Sequence, residues 1–178
     1  MSSELLVGNP KNSSDFIKNY GALGAFVILV LKAPLIEEVL FRSWVIPSKL
    51  NIFSSILIFS YFLIVYLFNE KIHNNIILVN IWLVINGLFI SSFLDREMCS
   101  RACNYSNIFI IISGIIFGVS HLINFDLSKC QWYICVPYIF PQIFSGIIFG
   151  IVRYKYGFWY VVAVHSMINL TSFLAGFF

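Results

Sequence analysis

Residues Pro34 to Trp44 have the sequence Pro-Leu-Ile-Glu-Glu-Val-Leu-Phe-Arg-Ser-Trp, which places Glu37, Glu38 and Arg42 in an otherwise apolar run. A charged side chain at the centre of a lipid-facing helix costs about 2.5–3.5 kcal/mol or more. Apolar residues flank both sides of the acidic pair, which disfavours a position at the membrane interface. The stretch therefore predicts that the pair faces a protein interior and has a chemical role there.

The composition is that of an integral membrane protein. The chain has 178 residues, of which 60% are hydrophobic and 11% are charged, whereas soluble domains are roughly 25% charged. Its 19 Phe, nine Tyr and four Trp residues suit lipid contact and anchoring at the membrane interface. The net charge of +3 is small and the sequence has no basic tract, so nucleic acid is not expected as a partner.

Long apolar runs predict an all-α fold, a polytopic bundle of about six transmembrane helices. Continuous runs of about 20 residues favour helices over the shorter, alternating strands of a barrel. The first run is interrupted by Lys32 and Pro34 and is predicted to kink near the proline. The predicted spans are 21–47, 51–68, 76–94, 106–124, 134–152 and 158–177.

The chain is predicted to form one membrane domain over residues 21–178, preceded by a polar tail over residues 1–20. The tail has no cationic leader before an apolar core, so it is not expected to be a secretory signal. In a six-span arrangement the loops on the two sides carry four and five Lys or Arg residues. That near balance leaves the membrane orientation open.

One hexapeptide, Ser-Gly-Ile-Ile-Phe-Gly, occurs twice, at Ser113–Gly118 and at Ser145–Gly150. Each copy contains Gly-x-x-x-Gly, a spacing that lets helices approach closely. Close packing is the favoured interpretation, and an internal duplication is the alternative. The flanks of the two copies differ, because His121 in one corresponds to Arg153 in the other.

Three residue pairs at i, i+4 spacing stand out in the apolar background, and residues four apart lie on one helix face. The pairs are Glu38/Arg42, Phe117/His121 and His165/Asn169. Hydrolysis of an amide needs an activated water, a proton donor for the leaving amine and donors aimed at the oxyanion. Buried carboxylates beside a histidine can supply the base. Two histidines and a carboxylate could equally hold a divalent metal with an open position.

The same segments resemble the CAAX protease and bacteriocin-processing family, also called the Abi family. Glu37-Glu38-Val-Leu-Phe-Arg42 resembles its EExxxR motif, Phe117-Gly-Val-Ser-His121 its FxxxH motif and His165-Ser-Met-Ile-Asn169 its HxxxN motif. The resemblance covers residues 22–48 and 107–172. Each motif alone is common, whereas all three in this order, each in an apolar helix, form a specific pattern.

The resemblance implies an intramembrane endopeptidase similar to the type II CAAX prenyl proteases, which cuts peptide bonds near the membrane surface. Its implied catalytic residues are Glu37, Glu38, His121, His165 and Asn169, with Arg42 and Phe117 as structural support. In this scheme Glu37 activates the water, helped by Glu38 and His121. His165 and Asn169 form the oxyanion hole or complete the polar site, and Arg42 holds the acidic pair.

The resemblance leaves the cofactor open. Family members are named metalloproteases, and a metal-free glutamate mechanism has also been argued. If a divalent metal such as zinc is used, Glu37, His121 and His165 are its expected ligands. The implied partners are a protein or prenylated peptide substrate and the lipid bilayer, and the implied location is the plasma (inner) membrane, as a multi-pass protein.

Two features depart from the family pattern, and two other function classes stay open. Ser43 stands where the family usually has glycine, and the apolar runs 51–68 and 76–94 separate the first motif from the second. One alternative is a non-catalytic membrane protein that confers bacteriocin immunity or scaffolds a partner. The other is a small transporter or channel in which the glutamates are proton or cation sites.

Overall fold

The computed structural model describes residues 13–68, 92–124 and 132–175, together with residues 81, 83–85 and 87–89. Within these residues the secondary structure is helical and contains no strand, which confirms the all-α prediction. Residues 76–80, 82, 86, 90 and 91 of the predicted span at 76–94 and the first 12 residues of the predicted tail lie outside the described residues. Helix α1 begins at Ser13, and the domain boundary at residue 20 stays a prediction.

Residues 81, 83–85, 87–89 and 92 are α-helical, and seven further α-helices have both ends within the described residues. They are α1 (Ser13–Phe26), α2 (Ala33–Arg42), α3 (Lys49–Phe68), α4 (Arg96–Cys103), α5 (Ser106–Ser120), α6 (Trp132–Tyr156) and α7 (Phe158–Ala175). Three short helical segments of other geometry adjoin them. They are a π-helical turn at Val27–Lys32 and 3₁₀ turns at Ser43–Val45 and His121–Asn124.

Two helical stretches are long and apolar enough to cross a membrane, Val136–Tyr156 within α6 and Phe158–Ala175, which is α7. The pair α4 and α5 becomes a third if its two helices, bent by 79°, count as one span. The predicted spans at 106–124, 134–152 and 158–177 correspond to α5, α6 and α7. The described residues thus provide two or three spans by length and composition, and the predicted total of six is not confirmed.

The predicted span at 21–47 is a series of helical pieces rather than one straight helix. Helix α1 is kinked at Gly21, whose φ of 71° favours a residue without a Cβ. In the π-helical turn that follows, the Ala33 N–H bonds to the carbonyl of Ile28, five residues back. Pro34 lies in the first turn of α2, where a missing N–H is tolerated. The irregularity predicted near Pro34 is therefore this π-helical turn.

Helices α5 and α6 pack backbone against backbone through the two copies of the hexapeptide. A Cβ added to Gly146 would lie 2.9 Å from Cα of Gly114 and 3.0 Å from the Phe117 ring. A Cβ added to Gly114 would lie 2.8 Å from the backbone N of Ile147. The contact confirms the close packing predicted from the Gly-x-x-x-Gly spacing. It also places Phe117 on one side of the interface between α5 and α6, and Phe149 on the other.

The tight turn between α6 and α7 directs the last motif, on α7, back along α6 toward the other two. Gly157 joins the two helices with a φ of 94°, a conformation that glycine adopts readily. Phe117 of α5, Phe149 of α6 and Val161 of α7 form one buried apolar cluster. The cluster packs against Phe41 of α2, and so α2, α5, α6 and α7 meet around the acidic pair.

Candidate active site

Helix α2 carries the acidic pair into the centre of the helical assembly. The Glu38 and Arg42 side chains are fully buried, whereas 29% of the Glu37 side chain is exposed. Successive residues of a helix point about 100° apart, which explains why two adjacent carboxylates meet different surroundings. Glu37 is the carboxylate of the pair that water and a substrate can reach.

His165 of α7 joins the two glutamates. Its Nδ1 lies 2.8 Å from Oε1 of Glu38, which is a hydrogen-bond distance, and its Nε2 lies 3.6 Å from Oε2 of Glu37. Since a carboxylate only accepts, Nδ1–H is the donor to Glu38, and this fixes the ring so that Nε2 faces Glu37. The buried carboxylate thus orients the imidazole toward the exposed one.

Arg42 compensates the charge of Glu38 away from solvent. Its Nε lies 3.6 Å from Oε2 of Glu38, one turn earlier on α2. Its Nη2 donates to the carbonyl of Gly146 at 3.5 Å, and its Cζ lies 3.9 Å from the centroid of the Phe117 ring. A guanidinium over an aromatic face gains cation–π attraction in addition to the ion pair. Arg42 therefore contacts Glu38, and its predicted role of holding the acidic pair stays a prediction.

The phenylalanines of the two hexapeptide copies enclose the polar groups. Phe149 stacks on the imidazole of His165, with ring centroids 4.5 Å apart and an interplanar angle of 23°. Phe117 covers Arg42 and meets His165 edge-on at 5.8 Å. The sequence prediction included Phe117 and missed Phe149. The repeat was the available signal, because Phe149 occupies the same place in its copy as Phe117.

His121 lies on the Phe117 side of the same site. Its Nδ1 is 2.8 Å from the carbonyl O of Phe117, one turn earlier, so Nδ1–H donates and Nε2 keeps the lone pair. The Phe117 ring contacts His121 at 4.5 Å between centroids and also contacts Arg42 and His165. Phe117 therefore connects His121 to the site, in which His165 is the histidine that lies within 4 Å of the two carboxylates.

Asn169 lies one turn beyond His165 and bonds to the π-helical turn. Its Nδ2 donates to the carbonyl of Leu29 at 2.9 Å. Leu29 is five residues before Pro34, which has no N–H and cannot continue the π-helical hydrogen bonding. The amide of Asn169 supplies the donor that the proline lacks. It uses one of the two N–H groups of the amide, and the oxyanion role stays a prediction.

The described residues do not assemble a complete metal site. Over the ranges 13–68, 92–124 and 132–175, no group of three or more His, Cys, Asp or Glu side chains is arranged to hold a metal ion. The predicted ligands Glu37, His121 and His165 provide one close pair of atoms, Oε2 of Glu37 and Nε2 of His165, at 3.6 Å. A catalytic zinc takes three protein ligands, so the present arrangement does not fit that group.

Comparison with known proteins gives one match. The family model described as type II CAAX prenyl endopeptidase Rce1-like matches residues 19–171, a range that contains every residue predicted for the site. No match is found among curated proteins or among solved structures. The family is one of membrane endopeptidases, and its name implies a peptide substrate. The five residues predicted to be catalytic, Glu37, Glu38, His121, His165 and Asn169, thus lie within the matched range, and the chain belongs to the Rce1-like family of type II CAAX prenyl endopeptidases.

Proposed function

We propose that this protein is an intramembrane endopeptidase that hydrolyses prenylated C-terminal peptides near the surface of the plasma (inner) membrane, with Glu37 as the base that activates water. One observation carries the proposal. Glu37 is 29% exposed and faces Nε2 of His165 at 3.6 Å, whereas the neighbouring Glu38 is fully buried. A base must reach both the water and the substrate, and Glu37 is the carboxylate of the pair that can.

The first step is the attack of water on the peptide carbonyl. Glu37 takes one proton from the water, and the water oxygen forms a bond to the carbonyl carbon. The electron pair of the C=O bond moves to the oxygen, which becomes an oxyanion. The carboxylate needs no further ligand for this step, because general-base catalysis requires only a hydrogen bond to the attacking water.

The second step is the expulsion of the amine. The oxyanion returns its electron pair, the C–N bond breaks and the leaving nitrogen takes a proton. Glu37, now protonated, is the donor. His121 helps in the first step instead, because its Nε2, left free by the bond from Nδ1 to Phe117, can accept a hydrogen bond from the attacking water. The products are a free amine and a carboxylic acid, which then loses its proton to solvent and becomes a carboxylate.

The oxyanion is stabilised by His165 and Asn169 in this scheme. When both ring nitrogens of His165 carry protons, Nδ1–H donates to Glu38 and Nε2–H is available to the oxyanion. The second N–H of the Asn169 amide is the further donor. Glu38 and Arg42 are positioning residues, since both are fully buried and act on the reaction through His165.

The depth of the site supports cleavage near the membrane surface. His165 is seven residues from Phe158, where α7 begins. At about 1.5 Å per residue, the imidazole lies about 10 Å from the end of the helix. The preceding turn carries Arg153 and Lys155 in the last turn of α6, as is common at a membrane interface. A substrate anchored at the interface therefore has a short path to Glu37.

The test is a cleavage assay with a prenylated peptide and the purified protein in detergent. Glu37→Gln is expected to lower kcat by about 100- to 10,000-fold, the usual contribution of a positioned base, with little change in thermal stability. Glu97→Gln is the matched control, because Glu97 is a carboxylate on α4 with a 72% exposed side chain. Full cleavage by Glu37→Gln would refute Glu37 as the base, whereas the absence of cleavage by the wild-type protein would favour the non-catalytic role in bacteriocin immunity or scaffolding.

A further inference from the structure

Arg153 is a buried cation that the proposed chemistry does not use. It lies in the last turn of α6 and is 8% exposed. Its Nε has no hydrogen-bond partner within the described part of the chain. Its Cζ lies 5.3 Å from the centroid of the Phe158 ring, which covers the guanidinium with an apolar face. The carboxylate whose charge acts on Arg153 is that of Glu38, which already pairs with Arg42 and His165, and a buried cation is costly unless an anion of its own completes the site.

Arg153 is on the face of α6 that lines the active site. Gly146, Phe149 and Arg153 are spaced at i, i+3 and i+7, which places them on one side of the helix. The carbonyl of Gly146 accepts from Arg42, and the ring of Phe149 stacks on His165. Arg153 follows Phe149 by four residues, or about 6 Å along the helix axis.

Helix α7 places Arg153 on the same side of the active site as α6 does, but at a larger distance along the helix axis. Phe158, which lies under the Arg153 guanidinium, and His165 are separated by seven residues and so share one face. The levels of the two side chains along the helix differ by about 10 Å. The two helices together place the Arg153 side chain about 6 to 10 Å from the catalytic imidazole, toward the end of the helix pair where its guanidinium reaches Phe158.

This spacing matches the tail of a C-terminal C-a-a-X peptide. Such a motif has three residues after the modified cysteine, and the last one ends in a free carboxylate. Three extended residues span about 10–11 Å. If the bond after the cysteine lies at Glu37 and His165, the terminal carboxylate reaches the level of Arg153.

We propose that Arg153 binds the free α-carboxylate of the substrate and so selects peptides that end three residues beyond the cut. The inference rests on the proposed function, and it adds a subsite to it. A guanidinium holds a carboxylate through charge-assisted, often bidentate hydrogen bonds. The cleaved bond is then chosen by its distance from the chain end, and internal peptide bonds are rejected because they leave the cation without a partner.

The experiment compares two prenylated peptides that differ only at the C-terminus, one a free acid and one an amide. With the wild-type protein, kcat/KM for the acid is expected to exceed that for the amide by about 10- to 100-fold, mainly through KM. In Arg153→Gln the ratio of acid to amide is expected to fall to about 1, since glutamine carries no charge. The ratio is an internal measure, so the yield of folded protein does not affect it.

Lys155→Gln is the matched control. Lys155 is an exposed cation in the same last turn of α6, so its removal changes the local charge and leaves the buried cation in place. This variant is expected to keep the wild-type preference for the acid. Loss of the preference in Lys155→Gln, with Arg153→Gln unaffected, would overturn the assignment of the subsite to Arg153.

The outcomes separate this inference from the function on which it rests. Equal cleavage of acid and amide by the wild-type protein overturns the carboxylate subsite and leaves the endopeptidase intact. Cleavage of neither peptide overturns both. If Arg153→Gln does not fold, inhibition of the wild-type protein by the product tripeptide still tests for a carboxylate subsite. The free acid is then expected to inhibit about 10-fold better than its amide, and equal inhibition would overturn the subsite.

Discussion

The side-chain amide of Asn169 donates a 2.9 Å hydrogen bond to the carbonyl of Leu29 and so ties α7 to the π-helical turn ahead of the acidic pair. Pro34 cannot offer that carbonyl an N–H, and an unpaired backbone carbonyl away from water is costly. Glu37 follows Pro34 by three residues, and His165 precedes Asn169 by four. The hydrogen bond therefore fixes the position of the base relative to the imidazole.

Replacing Asn169 with Ala is expected to destabilise the protein by about 1 kcal/mol, because a partly buried carbonyl loses its donor. For a chain of this size the expected change in Tm is about 2–4 °C downward. Thermal unfolding in detergent measures it. If Asn169 acted only as an oxyanion donor, Asn169→Ala would lose kcat with an unchanged Tm.

The control for this prediction is the variant Pro34→Ala, which restores a backbone N–H near the Leu29 carbonyl. In the double variant with Asn169→Ala, the loss of stability is expected to be smaller than the sum of the two single losses. Strict additivity in the double-mutant cycle would contradict the pairing of Asn169 with the carbonyl that the proline leaves unpaired.

The buried pair of Glu38 and Arg42 is expected to matter far more for stability than an exposed pair of the same spacing. Arg42→Ala removes one partner and leaves a fully buried carboxylate, for which the cost is about 3–5 kcal/mol. Arg42→Lys keeps the charge but is expected to rescue only part of the loss, because a lysine lacks the planar group that lies on Phe117.

The matched control is Arg101→Ala. Arg101 and Glu97 form an ion pair at the same i, i+4 spacing on α4, but their side chains are 74% and 72% exposed. Exposed pairs of this kind contribute about 0.3–0.5 kcal/mol. Denaturation in detergent measures the free energy of unfolding of both variants. An equal loss in Arg42→Ala and Arg101→Ala would show that Glu38 and Arg42 are not buried in the protein in detergent.

The glycines of the hexapeptide repeat are expected to differ in their tolerance of a methyl group. In Gly146→Ala the new Cβ meets the backbone of Gly114 and the Phe117 ring, so a loss of about 1–3 kcal/mol is expected from overpacking. Displacement of the Phe117 ring also disturbs Arg42 beneath it, and activity is expected to fall with stability.

Gly150→Ala is the control within the same helix. The three atoms nearest to its Cβ would be side-chain atoms of Ile110 at 3.0–3.4 Å, and a side chain can shift by a few tenths of an ångström more easily than a neighbouring backbone. Its Tm is expected to fall by less than that of Gly146→Ala. A larger effect in Gly150→Ala would mean that the repeat helices do not cross at Gly114 and Gly146.

Several features of the site could be predicted from the sequence because local rules determine them. Charges in an apolar run must face an interior, and i, i+4 spacing places Glu38 with Arg42 and His165 with Asn169 on common faces. Contacts between helices follow no such rule. The bond between His165 and Glu38 joins residues 127 positions apart and depends on how α2 and α7 pack.

Other features depend on the rotation and depth of single helices. Which of Glu37 and Glu38 is exposed depends on a turn of about 100° of α2, which a sequence pattern with apolar neighbours on both sides does not specify. Phe149 and Arg153 were not predicted for the site, because the sequence does not show which face of α6 is turned toward α7. The stacking of Phe149 on His165 identifies that face. The π-helical turn adds one residue to a helix and shifts the register of all that follows.

Cleavage is expected to persist in the presence of a metal chelator. Glu37 and His165 form one close pair of candidate ligands, and the Nδ1 of His165 is already bonded to Glu38, whereas a catalytic zinc needs three protein ligands. Peptide cleavage by wild-type protein before and after treatment with 1,10-phenanthroline measures this, with elemental analysis of the purified protein as a second readout. A zinc-dependent protease run in parallel shows that the chelator is active. Loss of cleavage that returns on addition of zinc, together with about one zinc per chain, would mean that His121 moves in to complete a three-ligand site, and the carboxylate mechanism would then have to be abandoned.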